Sequence, residues 1–216
     1  MLTFNNFSKQ YKNKIIFQNV NIVFEPGKRY GITGNNGCGK TTLLNCISGL
    51  QPYSGDILLE NRSINKLDII KRAKAGIGYL TQEHCLLENE TVKMNLLISA
   101  EIYFKDKMIR QNAVQETIEL YCLQKLLKQK IKTLSGGEKK RLELGLLLMN
   151  REAFKVFLLD EPLTGIDKEN LEFIKRTLLS PELSGHTILI VDHNLTVINE
   201  ICTERYVVSD YSLVKL

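Results

Sequence analysis

The sequence is short of several things, and each shortage narrows what the chain can be. No apolar run in its 216 residues approaches the roughly 18–20 that a membrane-spanning helix needs. The opening stretch, Met1-Leu2-Thr3-Phe4-Asn5-Asn6, has neither the basic nor the apolar region of a secretory signal. The expectation is a protein that stays in the cytosol, or rests on a membrane only by docking to something there. Cys38, Cys46, Cys85, Cys122 and Cys202 form no C-x-x-C pair, which argues against zinc and for reduced thiols. With no repeat, low-complexity tract or linker, one domain, or one domain with an inserted subdomain, is expected. The remaining composition, 44% hydrophobic and 25% charged, is that of a soluble domain with a substantial core.

The formal charge of +5 raises the question of nucleic acid. The densest basic cluster, Lys125 to Lys132, alternates with apolar residues and reads as a solvated helical face and loop. No nucleic-acid partner is expected. An anionic membrane face would also suit such a surface.

One stretch organises the rest: Gly34-Asn35-Asn36-Gly37-Cys38-Gly39-Lys40-Thr41-Thr42. It meets the pattern G-x-x-x-x-G-K-[ST] at every fixed position, a coincidence expected about once in a hundred chains of this length. Arg29 to Thr33 reads as a strand leading in. Thr41 to Ser48 reads as a helix leading out, with Leu43, Leu44 and Ile47 on its apolar side and Gly49 as its stop. In that context the glycines let backbone N–H groups curl around phosphate oxygens, and the helix N-terminus adds a favourable dipole. Asn35, Gly37, Cys38, Gly39, Lys40, Thr41 and Thr42 are therefore candidate contacts to the phosphates of a nucleotide. Lys40 would reach the β- and γ-phosphates, and Thr41 would place a hydroxyl on Mg²⁺.

The flanking chain alternates strands and helices. Thr3 to Phe7, Lys14 to Val20 and Asn21 to Phe24 read as short strands, with a turn at Glu25-Pro26-Gly27. Tyr11 sits in a polar run where no core explains it. It can stack on a nucleotide base, although a surface Tyr on a strand needs no ligand. Asp56 to Glu60 and Ile77 to Gln82 read as strands. From Val92 to Leu127 the period turns helical without a strand signal, predicting a helical subdomain inserted into the α/β chain. Val156 to Asp160-Glu161 and Thr187 to Asp192-His193 are apolar runs ending in polar residues, as strands buried on both faces of a parallel sheet would be. Asp167 is expected to cap the helix between them, and a hairpin around Asp210 closes the chain.

Leu134-Ser135-Gly136-Gly137-Glu138 opens another helix, Lys139 to Met149. Its S-x-x-E spacing is a capping box, which accounts for Ser135 and Glu138 but leaves two helix-weakening glycines. Glycines there suit a backbone that must approach an anion. Lys139, Lys140 and Arg141 point the same way, since cations in a first helical turn oppose the helix dipole. In open α/β sheets ligands collect at the C-terminal ends of strands, and four candidate groups sit at such ends: the glycine-rich loop, Gln82, Asp160-Glu161 and His193. Asp160 is placed to hold Mg²⁺ through water, Glu161 to polarise an attacking water, Gln82 to bind the metal and orient that water, and His193 to hydrogen-bond the γ-phosphate.

With these landmarks in this order, the sequence resembles the ATP-binding cassette (ABC) ATPase domain over essentially its whole length. The resemblance sets Tyr11 at the adenine-stacking position, Gly34 to Thr42 as Walker A, Gln82 as the Q-loop and Leu134 to Glu138 as the LSGGQ-like signature. Val156 to Asp160 is then Walker B, followed by its glutamate Glu161, with Leu163 to Asp167 at the D-loop and His193 as the switch histidine. It implies an α/β P-loop NTPase fold with a mainly parallel core sheet, an N-terminal antiparallel β subdomain and an α-helical subdomain at about 88–148, all within a single ABC ATPase domain of 1–216. It also implies that two cassettes close head-to-tail, each ATP lying between one Walker A and the other subunit's Ser135, Gly136, Gly137 and Glu138. Possessing one of each, this chain should need a partner cassette, most simply a second copy of itself. Two departures stand out: Ile166 where Leu is usual, and Gly145-Leu146 where Ala-Arg is common.

The resemblance implies the ATP-hydrolysing subunit of a membrane transporter, peripheral on the cytoplasmic side, with permease domains on separate chains. Residues His84 to Leu97 would form part of the groove for a permease coupling helix. A soluble ABC ATPase of the iron–sulfur assembly type is the alternative. A degenerate scaffold is disfavoured because every catalytic landmark is intact. The chain stops about where the catalytic core stops, and Lys128 to Thr133 replaces the acidic, glycine-containing segment before the signature of many fused multidrug exporters. It thus resembles compact cassettes paired with small permeases that export peptides, antibiotics, lipids or haem, and export is expected.

Overall fold

A computed structural model describes residues 1–83 and 85–216; His84, named above for the permease groove, lies outside the described residues. Strand β1 (Leu2–Tyr11) turns through Lys12-Asn13 into β2 (Lys14–Phe24) as a long antiparallel ribbon. The sequence pattern predicts three shorter strands here. Asn6 and Asn19 explain the difference: both lie at φ 51 beside register shifts, so bulges re-phase the in–out alternation without ending the strands. After β3 (Arg29–Thr33) and α1 (Lys40–Ser48), β4 (Ser54–Leu59) and β5 (Arg62–Ser63) complete an antiparallel sheet in the order β2-β1-β4-β5.

The second sheet also contains β6 (Ile77–Leu80), β7 (Val156–Asp160), β8 (Thr187–Val191), β9 (Glu204–Ser209) and β10 (Ser212–Lys215), in the order β10-β9-β3-β8-β7-β6. Every pair is parallel except β9–β10, whose two-residue turn puts Asp210 and Tyr211 at φ 49 and 60, the backbone a tight hairpin demands. This is the α/β architecture expected. The parallel strands bring the residues following β3, β6, β7 and β8 to one edge of the sheet.

Helix α1 lies between the two sheets. Its Leu43, Leu44, Cys46 and Ile47 are fully buried and share a core with Phe4, Phe7 and Ile57 of one sheet and Val156, Leu158, Leu189 and Val191 of the other. The opposite faces of β7 and β8 (Phe157, Leu159, Ile188, Ile190) belong to a second core with the helices. Burial of each such side chain stabilises the fold by about 1.5–3 kcal/mol, so the glycine-rich loop hangs from a strand and a helix that are both fixed.

The remaining helices are α2 (Ile69–Ala75), α3 (Val92–Tyr103), α4 (Lys107–Leu120), α5 (Gly136–Leu148), α6 (Lys168–Leu178) and α7 (Leu195–Ile201). Ser135 caps α5 and Asp167 caps α6, as the sequence suggests, and the structure adds Thr91 and Asp106 as caps of α3 and α4. Helices α3, α4 and α5 fall between β6 and β7, and α5 runs close to α4. A Cβ at Gly145 would lie 3.0 Å from the Tyr121 ring and 3.2 Å from Thr117 Cγ2, which gives that departure a packing reason.

Candidate active site

The loop after β3 and the start of α1 form one wall of an open cleft of about 630 Å³. Gly37, Gly39, Lys40, Thr41 and Thr42 line it, with Asn36 beside them. Gly39 holds the turn into α1 at φ 115, where a Cβ would come within 2.3 Å of Ile16 Cγ2, so backbone conformation and space both demand glycine there. The Lys40 ammonium folds back over the loop, donating to the carbonyls of Gly34 at 2.8 Å and Asn35 at 3.1 Å. These are neutral acceptors for a charge that is only 7% exposed; phosphate oxygens would replace them with anionic ones.

Asn35 and Cys38, both expected at the nucleotide, do not line the cleft. Asn35 contributes backbone: its carbonyl also accepts from the Cys38 N–H at 3.2 Å. The Cys38 sulfur packs inward, 2.8 Å from where a Gly34 Cβ would stand, and joins the core between the sheets. The far rim comes from the hairpin: Tyr11, Lys14 and Ile16. Of these, only Tyr11 is legible in the sequence; Lys14 and Ile16 read there as ordinary strand residues.

Across the cleft the parallel strand ends deliver Gln82, Glu161 and His193 together. The Gln82 Nε2 donates to Glu161 Oε2 at 3.2 Å, and His193 Nε2 lies 3.2 Å from Glu161 Oε1. Both oxygens of one carboxylate are thus bracketed by the other two groups. Glu161 has φ 52, a left-handed conformation that costs a non-glycine residue about 1–2 kcal/mol. Strain of this kind persists where surrounding structure imposes it and gathers at functional sites.

Behind them Asp160 is fully buried. Thr41 Oγ1 donates to its Oδ1 at 3.2 Å, and the Tyr79 hydroxyl stands 3.4 Å from its Oδ2 and 3.0 Å from Asn45 Oδ1. Burial pushes the Asp160 carboxyl above the usual carboxylate range, against the Thr41 hydrogen bond, which favours its charge. Burial and the Asp160 charge push the Tyr79 phenol upward, leaving it a donor. A buried carboxylate beside a threonine hydroxyl, with the Gln82 side chain lining the same cleft as that threonine, offers oxygen ligands of the kind Mg²⁺ takes. The residues fit that ion. Tyr79 and Asn45 were not legible as part of this site, because each reads as a member of a strand or helix.

The signature residues lie elsewhere: none of Ser135, Gly136, Gly137 or Glu138 lines the cleft. The capping box is formed, with the Glu138 N–H donating to Ser135 Oγ at 3.2 Å and the Ser135 N–H to Glu138 Oε2 at 2.8 Å. A Cβ at Gly137 would stand 2.5 Å from Asn170 Nδ2, whereas one at Gly136 would meet only the Gly165 carbonyl at 3.5 Å. Packing against α6 therefore accounts for one of the two glycines, and only Gly136 is left without an internal reason. The three following cations also have internal partners. Lys139 pairs with Glu88 and Lys140 with Glu143, both at 3.6 Å, and Arg141 lies 5.5 Å above the Phe173 ring centroid. Their presence does not require an external anion.

A sequence profile described as ABC transporter matches residues 17–164, the stretch that holds the loop, Gln82, the signature, Asp160 and Glu161. The chain belongs to the ABC transporter family. This ABC ATPase is 33% identical to the lipopolysaccharide export system ATP-binding protein LptB of Escherichia coli (strain K12), over 99% of this chain and 88% of that protein. It is 31% identical to the linearmycin resistance ATP-binding protein LnrL of Bacillus subtilis (strain 168), over 94% of this chain and 64% of that one. Its fold matches a nucleotide-free ATP-binding cassette from an ABC transporter with a TM-score of 0.85 and 26% identity, covering 99% of this chain and 89% of the other. A dimeric cassette carrying ADP and inorganic phosphate matches equally well, at 23% identity and a TM-score of 0.85, over 99% and 96% of the two chains. As an ABC ATPase the chain binds ATP with Mg²⁺, hydrolyses it and powers a transporter.

Proposed function

We propose that this chain is the ATP-hydrolysing subunit of an exporter, working on the cytoplasmic face of a membrane with permease subunits on separate chains. The observation that carries the reading is the bracketing of Glu161 by Gln82 and His193 beside the glycine-rich loop. In this reading the loop N–H groups and Lys40 hold the β- and γ-phosphates, with Asn35 and Cys38 contributing backbone and Thr42 a hydroxyl, while Tyr11 stacks on adenine. Mg²⁺, held by Thr41, Gln82 and Asp160, would neutralise phosphate charge when bound. Glu161 polarises the attacking water, Gln82 orients it, and His193 hydrogen-bonds the γ-phosphate.

The signature supplies the second half of the proposal. Because Ser135 to Glu138 stand outside the chain's own cleft, they are free to face ATP bound to another cassette, in the simplest case a second copy. A smaller groove of about 180 Å³ opens beyond Gln82, floored by Leu80, Leu86 and Leu147 with Tyr79 and Tyr103 on its walls. It has room for an apolar side chain or two from a permease segment. LptB's role in an export system supports the direction.

The test is Glu161→Gln with ATP and Mg²⁺. Loss of the general base should slow hydrolysis by about 10²–10⁴-fold while ATP binding persists. The variant should then run as a dimer by light scattering when ATP is present and as a monomer without it. Hydrolysis at the wild-type rate would remove Glu161 from its role, and an ATP-loaded monomer would remove the second cassette.

A further inference from the structure

Asp192, at the end of β8, is 1% exposed, and its two carboxylate oxygens serve different parts of the chain. Oδ1 accepts from the Asn194 backbone N–H at 2.9 Å, closing the turn that presents His193, and lies 3.5 Å from the Thr164 hydroxyl. Oδ2 accepts from the Leu163 backbone N–H at 2.9 Å, two residues beyond Glu161. An Asp that closes its own turn is a local device common in loops. The reach to Leu163 is not local. It fastens the loop carrying Glu161 to the turn carrying His193, whose side chains stand 3.2 Å apart.

Glu161 needs that fastening, because its φ of 52 is held against an intrinsic preference for other backbone conformations. Besides the Thr164 N–H, 3.5 Å from the Glu161 carbonyl, two hydrogen bonds pin the backbone around it to a distant part of the chain. The Glu161 N–H donates to the Val191 carbonyl at 2.7 Å, and the Leu163 N–H donates to Asp192. Both acceptors sit at the end of β8. Beyond Leu163 the same loop brings the Gly165 carbonyl against Gly136 at the start of α5. Segment 163–165 therefore runs from Asp192 to the signature.

We infer that Asp192 is a positioning residue for hydrolysis. It sets the distance between Glu161 and His193 by tying the loop at 161–165 to the turn at 192–194, and so joins that pair to the signature end of α5. The inference rests on reading Glu161 as the group that polarises water.

Two substitutions test it. Asp192→Asn keeps the shape but turns one acceptor into an N–H₂ group, so either Leu163 or Asn194 meets a donor. Asp192→Ser keeps an oxygen able to close the turn to Asn194 but too short to reach Leu163. Each variant is measured where circular dichroism and binding of a fluorescent ATP analogue show it folded, with rates counted per binding site. Displacement of reacting groups should lower kcat on the order of 10- to 100-fold. KM for ATP should stay within about twofold, because the loop and Lys40 are untouched. A kcat within about twofold of wild type in either folded variant would overturn the inference. So would a KM that rises as kcat falls, which is the mark of general structural damage. Wild-type and Glu161→Gln proteins run alongside: equal hydrolysis by those two would instead overturn the reading of Glu161.

Discussion

Tyr11 ends β1 at the rim of the cleft, 41% exposed, with the Lys9 ammonium 4.4 Å from its ring centroid. Lys9 itself is anchored, donating to the Pro52 carbonyl at 2.7 Å, so the ring is steadied without being buried. A stacking platform needs those properties. Alanine in place of an aromatic that stacks on a base costs about 1–3 kcal/mol, so Tyr11→Ala should raise KM for ATP about tenfold or more with little change in kcat. Steady-state kinetics checks this, and an unchanged KM would return Tyr11 to an ordinary strand end. At this scale the sequence was informative where a residue's chemistry is conspicuous in its run: Lys40, Asp160, Glu161, Gln82 and His193 all stand at strand or loop ends beside apolar stretches. It was uninformative where a side chain works through a contact distant in the chain. Asp192 and Tyr79 look like strand residues until Leu163 and Asp160 are seen beside them.

The start of α5 shows at the scale of an element how packing and function can be separated. Gly137 is pressed against Asn170 and Gly136 is not. Gly137→Ala should force α5 and α6 apart, at an overpacking cost of about 1–3 kcal/mol, and lower the melting temperature. Gly136→Ala meets only ordinary contact, and a helix gains about 0.5–1 kcal/mol when Ala replaces Gly. It should therefore leave the melting temperature unchanged or raise it. If a phosphate must approach this backbone, Gly136→Ala should nonetheless reduce ATPase activity several-fold, and thermal unfolding beside an ATPase assay reads both effects. Full activity in the stabilised variant would remove Gly136 from the nucleotide site. Elements with a single clear signal were legible: β3, α1 with its Gly49 stop, α6 with its Asp167 cap, and the buried strands β7 and β8. Helix α2 was not. Its Ile69 and Ile70 are exposed and its one buried side chain is Arg72, which donates to the Cys46 and Ile47 carbonyls at the end of α1. A helix that buries a charge instead of an apolar stripe gives no hydrophobic period to read.

Over the whole molecule, strand order is what places the site, and order comes from crossovers that local pattern does not encode. Strand β3 lies between β8 and β9, from the far end of the chain, so the two termini of the fold must be held together. One joint does this with charge. Glu204, at the start of β9, accepts from Lys28 at 2.6 Å, just before β3, and pairs with Lys215 of β10 at 2.9 Å. Hydrogen bonds from those two lysines pull the Glu204 carboxyl down from its ordinary 4.5 to about 2. Between those values the unfolded chain binds a proton that the native one refuses. The contribution to stability is therefore complete above about pH 5 and is lost as pH falls toward 2. Glu204→Gln removes the titrating group, so the variant should melt below wild type at pH 7, and the gap should close as the solution is acidified. Melting temperatures taken from pH 7 to pH 3 check the sign. A gap that stayed constant across that range would mean that shape and packing at Glu204, and not its charge, join the two ends of the chain.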